Sequence, residues 1–296
     1  FTDNDSNETG FKVFDGSNTL MVTCATANLT YCDETGLSVN TTYTRKVAAY
    51  NALLGTYSST ATIYTLAAVP SAPTVTAASA TTETVVVVVN GNPASTEFSI
   101  QETGSSNYIQ ANGTLGISAV WQNYATWGSG TGVTVTGLTN GTSYTFKVKA
   151  RNGNNTETAF GSTASATTYT SAPTIGTPSV LSTTSIRWTF TDTATGETGF
   201  KVYDGSNVLT TTCATANLTY CDETGLAVNT SYTRKVVSYN GTGNSSHSST
   251  ASIYTLAAVP SAPTATAATT TTGTVVVNIN GNPASTEFSI QETGSS

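Results

Sequence analysis

Residues 190–207, FTDTATGETGFKVYDGSN, rewrite residues 1–18, FTDNDSNETGFKVFDGSN, and residues 259–296 rewrite residues 69–106 almost letter for letter. Residue 190 copies residue 1 and residue 259 copies residue 69, so the offset is 189 at first and 190 after one insertion near residue 241. Any fold proposed for this chain must fit that period. It is too long for one solenoid unit and must hold more than one domain. SAPT recurs at 71–74, 171–174 and 261–264, each time after a Thr- and Tyr-rich stretch. Proline there suits the opening of an edge strand, where its missing N–H does no harm. These boundaries divide the chain into a partial module of short type (1–69), a complete long module (70–170), a complete short module (171–258) and a partial module of long type (259–296).

Every module reads as all-β. Alternating segments such as FKVFDG, YTRKVAAYN and YTFKVKARN are separated by Gly, Asn and Asp clusters, and no stretch keeps a helical period. A late signature appears three times: GLSVNTTYTRKV at 36–47, GLTNGTSYTFKV at 137–148 and GLAVNTSYTRKV at 225–236. In each, a Leu precedes a Tyr by six residues, and the Tyr enters an alternating strand. This pattern resembles the fibronectin type III family in its bacterial, tandem form. The resemblance places a tyrosine corner at Leu37 and Tyr43, Leu138 and Tyr144, and Leu226 and Tyr232, where a Tyr hydroxyl ties the E–F turn to the backbone. It also assigns Trp188 in IRWTF to the buried Trp of strand B. The long module has no Trp there, and Val88 is the expected substitute. The implied architecture is a string of immunoglobulin-like β-sandwiches. The first module would run from strand C onward, and the last would hold strands A to C.

All four cysteines lie in two copies of TCATANLTYCDETGL, with seven residues between Cys24 and Cys32 and between Cys213 and Cys221. A structural zinc site wants four close N or S ligands, and a redox pair is usually C-x-x-C; neither spacing fits. The pairs flank a turn and are expected to face each other across a hairpin as disulfides, with free buried thiols as the alternative. Disulfides persist in oxidising compartments, so the expected address is extracellular or on a cell surface.

Other candidate sites are weaker. Asp3, Asp5, Asn7 and Glu8 have the oxygen spacing of a calcium loop, but the copy has Ala194 and Gly196 at two of these places, so no metal is expected. Trp121, Tyr124 and Trp127 cluster in an insertion of the long module. They either cover their own sandwich or contact a glycan or neighbouring module. His247 has no copy and no triad partner in any recognisable motif, so no catalysis is expected, and no cofactor. Eleven Asn-X-Ser/Thr sequons occur, among them Asn28, Asn40, Asn112, Asn140, Asn217, Asn229, Asn240 and Asn244, which makes covalent glycan a candidate partner.

Composition narrows the functions further. Charged residues are 9% and the net charge is −7, while Thr is about a fifth of the chain. Ten Lys and Arg without a basic cluster do not suit a phosphate backbone, so nucleic acid is excluded as a partner. The longest apolar run, VVVVV at 85–89, is far too short to span a membrane. Phe1 opens the chain without Met or a signal pattern, as expected of a processed or internal piece of a longer repetitive protein. The function expected first is structural and non-enzymatic: a filament, stalk or surface coat of end-to-end modules contacting copies of itself. An adhesin or glycan-binding array is one alternative. Accessory modules of a larger secreted enzyme are another.

Overall fold

The computed structural model describes residues 1–4 and 6–293. Among these the fold is all-β, and the only helical element is one 3-10 turn at Ser129–Thr131. Among the described residues no helix is long and apolar enough to cross a membrane. The first four strands are β1 (Gly10–Asp15), β2 (Leu20–Cys24), β3 (Thr42–Tyr50) and β4 (Ala61–Tyr64), in one sheet of order β2-β1-β3-β4. Residues 70–170 carry β5 (Thr74–Ala77), β6 (Glu83–Val86), β7 (Glu97–Glu102), β8 (Tyr108–Ile109), β9 (Leu115–Gly116), β10 (Gln122–Asn123), β11 (Val133–Val135), β12 (Ser143–Arg151) and β13 (Ala164–Thr167). Their two sheets are β11-β6-β5 and β13-β12-β7-β8-β9, with β10 paired to β7.

Residues 171–258 carry β14 (Thr174–Ile175), β15 (Ser179–Val180), β16 (Ser185–Thr191), β17 (Gly199–Asp204), β18 (Leu209–Cys213), β19 (Tyr220–Thr224), β20 (Ser231–Tyr239) and β21 (Ala251–Tyr254). One sheet has β16 between β14 and β15 and also pairs it with β19; the other is β18-β17-β20-β21. The hairpin β22 (Ser261–Ala267) and β23 (Gly273–Asn278) follows. The chain divides into two compact units. One holds Phe1–Thr76, Thr82–Gly137 and Ser143–Ala166; the other holds Ala77–Thr81, Leu138–Thr142 and Thr167–Ser296.

Alternation creates the core. In β16, Ile186, Trp188 and Phe190 point inward and are buried, while Arg187 and Thr189 point out. They pack with Phe200, Val202, Cys221 and Val236. Strand formation also needs a neighbour. Residues 31–35 repeat the sequence of β19 letter for letter yet form no strand, because nothing among the described residues lies beside them in the position of β16. Residues 287–292 repeat the sequence of β7 and likewise form no strand, since β7 depends on β12.

The cysteines do not face each other within one hairpin. Cys213 ends β18 in one sheet, opposite Phe200, whereas Cys221 lies in β19 of the other sheet, opposite Trp188. Their disulfide, with Cα atoms 6.0 Å apart, therefore ties the two sheets together beside the core. Cys24 and Cys32 form the matching bond, with Cα atoms 6.1 Å apart.

The long repeat solves its core differently. Leu138 N–H donates to Thr81 O (3.1 Å) as Leu226 N–H donates to Thr184 O (3.0 Å), which aligns the second strands of the two repeats. Val85 then stands at the place of Trp188 and Glu83 at that of Ile186. Val88, the residue expected in that role, is 37% exposed, because the inward parity is odd-numbered here. The large indole comes from the insertion instead: Trp127 is 1% exposed, and its Nε1 donates to Phe98 O at 2.9 Å.

Glu83 is fully buried and accepts no hydrogen bond among the described residues. Desolvation, with repulsion from the Glu102 carboxylate added, pushes its pKa up to about 7 from 4.5. Between those values the folded state holds a proton that the unfolded state has lost. Stability of the long repeat should therefore fall as pH rises through that window, by roughly 3 kcal/mol in all, and level off above it. Urea melts from pH 4 to 8 should show this slope, and Glu83→Gln should flatten it; an unchanged slope in the variant would refute the assignment. Replacing Cys213 and Cys221 together by Ser should cost about 2.5 kcal/mol, from a closed loop of about nine residues. Calorimetry of the variant beside the parent chain measures that loss.

Candidate functional site

The turns come first, since they place every exposed side chain. Tyr43 Oη accepts from Ser38 N–H at 2.9 Å, and Tyr232 Oη accepts from Ala227 N–H at 2.8 Å, closing each turn on the strand that follows. Leu138 is buried beneath the corresponding turn of the long repeat, Leu226 packs on the core from its edge, Leu37 is half-buried, and Tyr144 is half-buried at the matching start of β12. Glu8, one of the oxygens considered for a calcium loop, and its copy Glu197 are buried. Each accepts the backbone N–H of a left-handed Asn, Asn28 at 2.6 Å and Asn217 at 2.9 Å, and so ties its loop to the disulfide loop. Asp5, considered with Asp3, Asn7 and Glu8 as a calcium ligand, lies outside the described residues, and no cluster of three or more His, Cys, Asp or Glu able to hold a metal occurs among those that are described.

His247 is exposed and stands edge-on to the Tyr203 ring at 5.1 Å; partial burial, with nearby Lys235 adding to it, lowers its pKa. The insertion separates its aromatics. Trp127 lies in the core and is not available to a glycan or a neighbouring module. Tyr124 is half-buried, and Trp121 is half-buried with the Arg151 guanidinium 4.7 Å and the Lys149 ammonium 5.2 Å from its ring.

The sequons divide by burial. Asn28, Asn112, Asn217 and Asn244 are exposed. Asn40 is buried, and both ends of its amide are engaged: Nδ2 donates to Thr96 Oγ1 at 2.7 Å, and Oδ1 accepts Gly153 N–H at 3.0 Å. A sugar on Asn40 would break both bonds, so that candidate is withdrawn. Its copy Asn229 donates to Thr286 Oγ1 at 2.6 Å. Asn140 and Asn240 are similarly occupied. Asn140 Oδ1 accepts Thr195 N–H at 2.7 Å, and Asn240 Nδ2 donates to Thr168 O at 3.2 Å.

These asparagines share one location, the seam between consecutive repeats. From short to long repeat, the stretch NGNPAST at 90–96 supplies most of the contacts. Asn92 Oδ1 accepts Ala68 N–H (2.9 Å) while its Nδ2 donates to Ala68 O (2.8 Å), so one amide stands in for a strand neighbour. Asn90 Nδ2 donates to Val69 O at 2.9 Å, and Thr96 receives Asn40. NGNPAST at 280–286 repeats the set: Asn282 on Ala258, both at 2.8 Å, Asn280 on Val259 at 2.8 Å, and Thr286 on Asn229.

A second rule covers both kinds of seam. Asn152 Nδ2 donates to Thr65 O at 3.1 Å, just as Asn240 does to Thr168 O, and in each case the next Gly or nearby Gly accepts a Tyr ring. An added Cβ would lie 2.4 Å from Tyr64 at Gly153 and 2.9 Å from Tyr169 at Gly243. From long to short repeat, Gly141 and Gly196 bring two backbones so close that a Cβ on Gly141 would sit 1.7 Å from Thr195 O. The return of residues 69–106 at 259–296 is visible in the sequence, but nothing local in the NGNPAST it contains marks those residues as joints between repeats.

No family model matches the chain. It is 40% identical over 148 residues to Chitinase A1 of Niallia circulans, covering 46% of this chain and 20% of that protein. It is 30% identical over 264 residues to Exoglucanase B of Cellulomonas fimi, covering 83% of this chain and 23% of that protein. The chain thus spans about a fifth of the length of the curated relatives it matches. Among solved structures, the FN1–FN3 domains of chicken CNTN1 align with a TM-score of 0.35 at 17% identity, over 86% of this chain and 91% of that one. The three- and six-stranded sheets of residues 70–170, the two four-stranded sheets of residues 171–258, the tyrosine corners and the buried Trp188 give this chain a tandem fibronectin type III-like fold, and its sequence relatives are bacterial.

Each neutral seam bond is worth about 1 kcal/mol net, and Asn92 makes two to the chain beside it. Asn92→Ala should leave the disulfides and sandwich cores intact but raise the rate of proteolytic cleavage within residues 66–70 about tenfold, the equivalent of roughly 1.4 kcal/mol. Timed digestion followed by mass spectrometry reads this directly, and an unchanged cleavage rate would show the seam is held elsewhere.

Proposed function

We propose that the chain is a non-catalytic accessory region of a larger extracellular protein that acts on polysaccharide, in which the modules set the separation and limit the bending of what they connect. The observation that carries this reading is the seam chemistry. Identical sets of amide contacts join short to long repeat at both places, which suits a part whose work is to hold successive modules in register. The relatives support the context: both are named as enzymes acting on a glycan, and the similar segment is about a fifth of each. The two disulfides favour an oxidising setting.

Near-verbatim repetition keeps a second reading open, that of a filament or coat assembled from copies of the chain. One experiment separates the two. The intact gene product, captured from culture medium with an antibody against these modules, should release sugar from chitin or β-glucan. Excision of residues 70–258 should leave turnover of a soluble oligosaccharide unchanged and lower turnover of the insoluble polymer several-fold. A captured product without hydrolase activity that sediments as filaments would overturn the accessory reading in favour of the polymer.

A further inference from the structure

The cations of this chain are sorted by type. All four arginines hold carboxylates: Arg45 with Glu34 (2.7 Å), Arg151 with Glu97 (2.6 Å), Arg187 with Asp222 (2.7 Å) and Arg234 with Glu223 (2.8 Å). The six lysines lie elsewhere. Every one is on β1, β3, β12, β17 or β20, inner strands of their sheets, where they alternate with core residues. Among the described residues only Lys149 has a carboxylate partner, Glu157 at 2.6 Å.

The lysines are interleaved with aromatic rings. Lys12 lies 4.8 Å from the Tyr50 ring, Lys46 4.5 Å from Tyr57, Lys147 4.3 Å from Phe160 and Lys201 4.5 Å from Tyr239. Lys235 is near enough to His247 to help lower its pKa, and His247 in turn stands against Tyr203.

Their placement is kept in space rather than in sequence. Lys46, Lys147 and Lys235 occupy one position of the TRKV, TFKV and TRKV strands. The second lysine changes strand. Lys12 pairs with Ala48 and Lys201 with Val237, but in the long repeat the corresponding pair is Ser99 and Lys149. The ammonium has crossed to the neighbouring strand and stayed on the same spot of the sheet. A lysine needed only for solubility has no reason to hold that spot, and its recurrence in a chain of net charge −7 singles out the face.

We propose that this sheet face of each module binds an acidic polysaccharide, with sugar C–H faces lying on the rings and sugar carboxylates meeting the lysine ammonium groups. Tyr57 is exposed and Tyr50, Phe160 and Tyr239 are half-buried. A lysine resting on such a ring gains about 0.5–1 kcal/mol, to which Lys46 and Lys201 add a hydrogen bond to the neutral side chains of Asn18 and Asn244. A charge-assisted bond to a carboxylate is stronger, so the ligand can draw the ammonium away. Two lysines per module suit a sparsely charged glycan and fall short of the clustered cations that a nucleic-acid backbone needs.

Affinity electrophoresis of the 296-residue chain through gels containing polygalacturonate tests this. Retardation should be strong at low ionic strength, at least tenfold weaker at 0.3 M salt, and lost when the polymer is fully methyl-esterified, which keeps the sugar and removes the charge. K147Q/K149Q should weaken retardation and K147R/K149R should preserve it, with melting temperatures read alongside. No retardation, equal retardation by the esterified polymer, or equal retardation by duplex DNA would each overturn the proposal. Should the Gln variant fold poorly, the salt and esterification arms on the unaltered chain decide.

Discussion

Two thin sheets held face to face around a single layer of side chains is the constraint on which these modules depend. A sandwich of about ninety residues buries little apolar surface, and much of this chain's surface is threonine and serine rather than charge. The bond between Cys213 and Cys221 meets that constraint at the most useful place, because each sulfur lies opposite a core ring, Phe200 in one sheet and Trp188 in the other. The buried Arg234–Glu223 pair then receives the Trp188 indole N–H on a Glu223 oxygen at 2.8 Å, so the same core residue is fixed from both sides. The long repeat has neither cysteine nor that indole. It draws Trp127 in from its insertion and carries Glu83 where an Ile would otherwise sit, which makes the two repeat types different in how pH acts on them.

Much of the fold was legible in the sequence because its signals are local. Alternation, the Leu-to-Tyr spacing and the SAPT boundaries each act within a dozen residues, and Tyr43 and Tyr232 close the turns where the pattern puts them. What escaped depends on partners far along the chain. Cysteines eight apart suggest a hairpin, but the strand order sends β18 and β19 to different sheets, and no spacing reports that. Parity in a run of five valines is invisible in the run itself; it is set by Leu138 docking on Thr81, so Val85 turns in and Val88 turns out. Asn40 carries a perfect sequon, yet its amide is spent on Thr96 and Gly153, far away in sequence.

Asparagine is the residue that links repeat to repeat. Its amide offers a donor and an acceptor in the geometry of a peptide group, so it can extend backbone hydrogen bonding across a seam without adding charge. It also tolerates the left-handed backbone that the turns need, as at Asn28, Asn90 and Asn217. The chain therefore keeps its few charges for other work. Arginines go to carboxylates within a module, while lysines remain on one sheet face, where Lys46 and Lys201 donate to the side chains of Asn18 and Asn244 and, among the described residues, only Lys149 has a carboxylate partner.

The two kinds of seam are not interchangeable. NGNPAST occurs only in long repeats and meets Ala68 and Asn40, or Ala258 and Asn229, which only short repeats provide. The close Gly141–Gly196 approach likewise joins long to short and not the reverse. A gene for such an array can lengthen or shorten by recombination between its copies, but every event that gains or loses a single module creates a mismatched seam. Only exchange by whole periods of 189 or 190 residues leaves every joint intact. The unit of inheritance is thus a pair of modules, and the asparagines at the joints act as its phasing marks.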